Sequence, residues 1–142
     1  RSKTSEALVN IRRIYDGAVT SYQGDGVQRD GEGTLPIFPE TVGPTPGADA
    51  CCIASSVGRC PGSADSFTAK SWHKLNFSLS DPHYYWYSFV SEGEGFSAQF
   101  TARAEGNLDC DDLYSTFERL GYVDLIGGVT GGSGVYSHLP NE

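Results

Sequence analysis

The sequence predicts an α+β fold: an N-terminal amphipathic helix packed on an antiparallel β-meander, with a long disulfide-tied loop between helix and sheet. Three observations carry this. Apolar residues recur at helical spacing only at the start of the chain. Beyond Thr68 they alternate with period two. Glycines, prolines and cysteines crowd the stretch between. A length of 142 residues with 38% hydrophobic content suits one domain with a real core. We read 1–142 as a single domain: helix 1–23, loop 24–67, and sheet with C-terminal loops 68–142.

The helix comes first. Between Thr4 and Gln23, the residues Leu8, Ile11, Tyr15, Ala18 and Tyr22 share one stripe, and Glu6, Asn10, Arg13 and Thr20 fall on the other side. Gly24 stands where a left-handed C-terminal cap is expected, with Gly26 close behind. Arg1-Ser2-Lys3 offers neither a clear cap nor a Met, so the helix is expected to continue upstream in a longer protein.

Gly24 to Ser66 reads as a loop punctuated by Pro36, Pro39, Pro44 and Pro46, with one short extended piece at Leu35–Pro39. Its order is expected to come from cysteines. Cys51, Cys52, Cys60 and Cys110 form no CxxC pair, and the three histidines are scattered, so the set favours disulfides and an oxidising compartment over zinc. Neighbouring cysteines rarely bond to each other. Cys51 and Cys52 therefore share Cys60 and Cys110 between them, one bridge closing a short loop and the other reaching a distant segment.

The sheet follows. Leu75, Phe77 and Leu79 alternate with polar residues as a first strand, and Asp81-Pro82-His83 is a turn. Tyr84–Val90 carries aromatics on both faces, as a covered central strand does. After the turn Glu92–Gly95, the residues Phe96, Ala98, Phe100, Ala102 and Ala104 face inward, their small members leaving room for the helix. Leu113–Leu120 is a fourth strand, and a short one is expected near Gly134–Tyr136.

An acidic loop lies between the third and fourth strands. Counted from Asn107, oxygen donors fall at positions 1, 3, 5, 7, 9 and 12: the side chains of Asn107, Asp109, Asp111, Ser115 and Glu118, and the carbonyl of Leu113. That is the spacing of a twelve-residue Ca²⁺ loop. Asp112 replaces the usual glycine at position 6, and the flanks read as strands. The alternative is a solvated acidic turn with Asx-type hydrogen bonds.

Other chemistry finds little support. The net charge of −8 argues against a nucleic-acid surface and against anionic lipid. No apolar run approaches the ~20 residues that span a bilayer. His73, His83 and His138 sit near Ser71, Asp81 and Ser137, but no nucleophile elbow or phosphate loop accompanies them, so no enzyme is expected. Asn76-Phe77-Ser78 matches a glycosylation sequon that a strand position would make incidental. The rings of Tyr84–Tyr87 read as core, or as a display surface for a sugar or partner.

Three segments resemble the globular head of a type IV pilin, minor pilin or pseudopilin of the myxobacterial kind. They are Arg1–Ala7, where a pilin helix would enter the head; Cys51-Cys52 with Cys60-Pro61, Trp72, Leu75, Phe77, Asp81-Pro82, Tyr85 and Tyr87; and Phe100–Asp109 with Ser115–Glu118. Cys110 and Asp112 stand where that family tends to have glycines. The resemblance implies a leader and an apolar helix before Arg1, filament assembly with other pilin subunits through a dedicated assembly machinery, contact with the membrane only through that helix, and a place at the cell surface. It implies roles in motility, adhesion or secretion, and it raises Ca²⁺ at the acidic loop. The alternative function is a secreted, calcium-stabilised adhesion module.

Overall fold

The computed structural model describes residues 3–29, 35–55, 57–108, 110–111, 113–131 and 135–138. Helix α1 spans Thr4–Arg29. Strand β1 (Val42–Thr45) and the short helices α2 (Ala50–Ala54) and α3 (Lys70–Lys74) precede the sheet's long strands. These are β2 (Tyr85–Glu92), β3 (Gln99–Gly106) and β4 (Ser115–Val123), followed by β5 (Val129–Thr130) and β6 (Tyr136–His138). All pairings are antiparallel, in the order β1-β2-β3-β4, with both β5 and β6 on the remaining edge of β4. The β2–β3 and β3–β4 ladders run without a bulge from Tyr85↔Gly106 to Glu92↔Gln99, and from Gly106↔Ser115 to Gln99↔Tyr122. An α+β fold with an N-terminal helix and an antiparallel sheet is thus what the sequence encodes.

One face of the sheet presents Tyr85, Tyr87, Phe89, Phe100, Ala102, Ala104 and Phe117, all buried. Helix α1 lies against this face, mainly over β3 and β4. Ala102 and Ala104 let it approach. Tyr15 meets the Phe100 ring at 5.5 Å, and Phe38 bridges Tyr22 and Phe100 at 4.8 Å each. On its flank, Gly17 passes so close to the Leu75 backbone that a Cβ there would overlap the Leu75 carbonyl.

Several details depart from the expected pattern. The buried stripe is Ala7, Ile11, Ile14, Tyr15, Ala18 and Tyr22, whereas Leu8 is 42% exposed. Four of the five expected residues are in it, and the packing face is turned only about 30° around the helix, away from Leu8 and toward Ala7 and Ile14. Asn10, expected outside, is buried because its amide finds the Tyr87 hydroxyl at 2.9 Å. The helix does not stop at Gln23 but continues through Gly24, since glycine permits a left-handed cap without imposing one.

The long loop 24–67 is broken by structure. Residues 35–41 carry neither helix nor strand, β1 adds an edge strand to β2, and α2 carries the first two cysteines. Pro44 sits in β1 because an edge strand tolerates a missing donor. Leu75–Leu79 is not a strand. It alternates buried and exposed side chains, but Leu75 and Asn76 turn out of α3, with Asn76 at φ 54°, and β1 holds the free edge of β2. Alternation reports burial here, not pairing. Phe96 belongs to a 3₁₀ turn, Gly95–Ser97, and is exposed. Strand β4 runs two or three residues later than expected. The last strand is Tyr136–His138, while Gly134 lies outside the described residues.

Ile11 is fully buried. Its replacement by Ala is expected to lower unfolding free energy in urea by about 2–5 kcal/mol. Leu8→Ala should change it by less than ~0.5 kcal/mol, as befits a surface position. Similar losses for both would place the packing face on the originally expected stripe.

Candidate functional site

Two polar clusters stand at the end of the sheet where α1 begins. The first centres on Glu6, in the first turn of α1. Its Oε1 and Oε2 accept the Tyr84 N–H at 3.0 and 3.1 Å. Oε2 also accepts the Tyr85 N–H at 3.1 Å and the Tyr87 hydroxyl at 3.0 Å. Asn10 donates to the same hydroxyl, and Arg13 donates to Asn10 Oδ1 at 3.3 Å. Residues 6, 10 and 13 recur at spacings of four and three, so they form a polar stripe beside the apolar one. Lys3 lies over the Tyr84 ring at 4.4 Å. The group borders a cleft of about 530 Å³ between α1 and the Asp81–Tyr84 turn. Burial pushes the Glu6 carboxyl above its ordinary value, and the donors from Tyr84, Tyr85 and Tyr87 pull it partly back.

The second cluster is covalent. Cys51 bonds to Cys60, and Cys52 bonds to Cys110. The adjacent cysteines on α2 therefore separate, one closing a short loop and the other pinning α2 to the segment after β3. Cys60 and His83 pair through backbone hydrogen bonds in an isolated bridge. His83 is buried, which lowers its pKa, and its ring is held at Tyr85 O.

The acidic loop is held by a hydrogen-bond net. The buried Asn107 donates from Nδ2 to Asp49 Oδ1 at 3.2 Å and to Asp111 O at 2.7 Å, and its Oδ1 accepts the Asp111 N–H at 2.9 Å. Asp111 Oδ1 accepts the Leu113 N–H at 2.8 Å, and Tyr114 Oη donates to Asp49 Oδ2 at 2.6 Å. The left-handed residue is Cys110, at φ 55°. Of the six residues with Ca²⁺-loop spacing, the fold gathers Asn107, Asp111 and Leu113. Asp109 lies outside the described residues, as does Asp112. Ser115 and Glu118 are three apart on one strand and so point to opposite faces of the sheet. Ser115 is fully buried on the inner face, and Glu118 forms an ion pair with Arg103 on the outer one. A cation drawing on all six would have to take Glu118 from Arg103 and Asn107 Oδ1 from the Asp111 amide.

The remaining candidates are dispersed. His73 and His138 are exposed, Ser71 is buried, and no hydrogen bond joins a histidine to Ser71, Asp81 or Ser137 among the described residues. Tyr85, Trp86 and Tyr87 are buried, so of that run only Tyr84 is partly displayed. Asn76 is exposed in a turn. Glu6 and Asp49 were not singled out by the sequence. The readable signal for Glu6 was its i, i+4 relation to Asn10. Asp49 had none, because its partners are 58 and 65 residues away.

Two measurements follow from this geometry. Glu6→Ala leaves two backbone N–H groups and the Tyr87 hydroxyl without their acceptor, and should cost about 1–3 kcal/mol in urea unfolding at pH 7. The folded-state pKa of Glu6 is raised, so the folded chain binds this proton more readily than the unfolded one. Its contribution is fully present below the unfolded pKa and is lost as pH rises through the folded value. Wild-type stability measured against Glu6→Gln should therefore fall as pH rises above about 4.5. A difference independent of pH would mean that the carboxyl titrates alike in both states. For the acidic loop, a melting midpoint that rises when Ca²⁺ replaces chelator assigns the carboxylates to a cation. An unchanged midpoint leaves the loop held by its hydrogen bonds and the Cys110 bridge.

Compared with family models, with curated proteins and with solved structures, the chain matches none.

Proposed function

We propose that this chain is the head of a structural subunit of a type IV pilus or related filament, displayed at the cell surface and assembling with like subunits through a dedicated machinery. The observation that supports it most is α1 lying across an antiparallel sheet with its first turn fastened at the sheet's end by Glu6. A helix held there transmits the position of any upstream segment directly to the head. Two exposed apolar groups offer contact surface. Leu8 and Val9 lie on the outer side of α1, while Val90, Leu120 and Tyr122 lie on the outer face of the sheet, with Leu125 and Ile126 beyond its end. Patches on different faces of one subunit suit a heterologous contact, which propagates as an open helical array. No described helix is long and apolar enough to cross a membrane, so anchoring before assembly would fall to an upstream segment. The two disulfides suit an oxidising compartment.

The test is to express the complete gene in its native host and label the head with antibody. Labelled surface fibres that disappear when the region before Arg1 is deleted are expected. A gene that encodes no leader and no apolar segment, with labelled protein released as a soluble, calcium-stabilised monomer, would overturn the filament reading in favour of a secreted adhesion module.

A further inference from the structure

A second feature stands apart from any filament role. Cys60 and His83 face each other across the isolated antiparallel bridge, with Cys60 N–H to His83 O at 2.7 Å and His83 N–H to Cys60 O at 3.1 Å. Cys51 reaches the same point from α2. One ligand atom from each of the three lies within 4.8 Å of the others, and all three residues are buried. His83 Nδ1 is 2.9 Å from Tyr85 O. A carbonyl only accepts, so Nδ1 carries the proton and Nε2 keeps its lone pair. Fixing one imidazole nitrogen on a carbonyl is the device by which proteins orient the other for a metal. In the oxidised chain the two sulfurs are bonded to each other and offer no thiolate.

We propose that the reduced chain binds one zinc ion through Cys51, Cys60 and His83, so that the same three residues surround a disulfide in one redox state and a metal in the other. A dithiol reductant supplies two electrons and two protons and becomes a disulfide itself. The Cys51–Cys60 S–S bond opens to two thiols. Zinc then displaces both thiol protons to solvent and takes two thiolates and the neutral Nε2. Ligand distances of ~2.3 Å for sulfur and ~2.0–2.1 Å for nitrogen put tetrahedral donors roughly 3.5–3.8 Å apart. The two sulfurs move apart to that spacing once their bond opens, and a ring nitrogen of His83 already lies within 4.8 Å of both. Cys60 also lines a surface hollow of about 300 Å³ beside Val57, Pro61 and Pro82, which gives an ion and a fourth, water ligand a way in. The bridge between Cys60 and His83 is made of backbone, so it does not depend on the disulfide.

The test uses the full chain carrying Cys52→Ser and Cys110→Ser, reduced with a water-soluble phosphine without oxygen. It is titrated with Zn²⁺ against a chromophoric chelator, and with Co²⁺ for its spectrum. We expect one ion per chain, thiolate-to-cobalt charge transfer with the ligand field of a tetrahedral site, and a melting midpoint raised by zinc. Adding His83→Gln should weaken binding by at least about tenfold, the loss that removing even an outer hydrogen-bond partner causes at such sites. Cys60→Ser should do the same, and the air-oxidised chain should not bind. Equal affinity with Gln at position 83, equal binding by the oxidised chain, or a reduced chain that stays unfolded and holds no zinc would each overturn the proposal.

Discussion

The fold depends on a carboxylate placed where helix and sheet first meet. Glu6 accepts hydrogen bonds from Tyr84, Tyr85 and Tyr87, and through Tyr87 it reaches Asn10. Two of these donors are main-chain N–H groups at the entry to β2, before the stretch where β1 pairs with it. A buried N–H without an acceptor costs as much as the bond it fails to make. The helix therefore does more than cover the sheet. It completes the hydrogen bonding at the start of β2, an interior strand, and the strand sets the axial position of the helix.

Packing then follows from that position. With Glu6 on Tyr84 and Tyr85, α1 runs the same way as β2, and Tyr22 arrives at Gly95 with its hydroxyl 3.0 Å from the carbonyl. Between these ends the alanines of β3 and the backbone at Leu75 come near the helix axis. Gly17 is the position where a side chain would strike backbone. Sliding α1 by one residue would bring a Cβ to that spot and separate Glu6 from its donors. The polar and the steric constraints select the same register.

The helix, the three long strands and the cysteine partition could be read from residue order because each rests on local periodicity or on a rule about neighbours. Phe100, Ala102 and Ala104 alternate, and they pair as they alternate. The exact helix face could not be read so well. Leu8 and Ala7 differ by one position, and which of them is buried depends on a tertiary docking angle that no local signal contains. Asn10 looked like a surface residue because its partner is 77 positions away. Leu75–Leu79 misled for a related reason. A turn followed by irregular chain packed beside a helix shows the burial pattern of a strand without its hydrogen bonds. The acidic loop was recognised as organised, but its organiser Asp49 lies across the disulfide, and Ser115 and Glu118 are separated by the parity of the strand that carries them.

The bridge from Cys52 to Cys110 has a mechanical consequence. It encloses α3, β2 and β3 within a covalent ring whose ends are 58 residues apart in sequence. Tension applied to the two ends of the chain passes through the S–S bond and never loads that ring. Roughly 200 Å of contour length, at ~3.4 Å per extended residue, is withheld from stretching. An oxidised head pulled past its yield point would surrender α1, β1 and the C-terminal strands, then stop, with the central hairpin still closed. Reduction would release the hidden length, so extensibility under load reads out the state of a single bond.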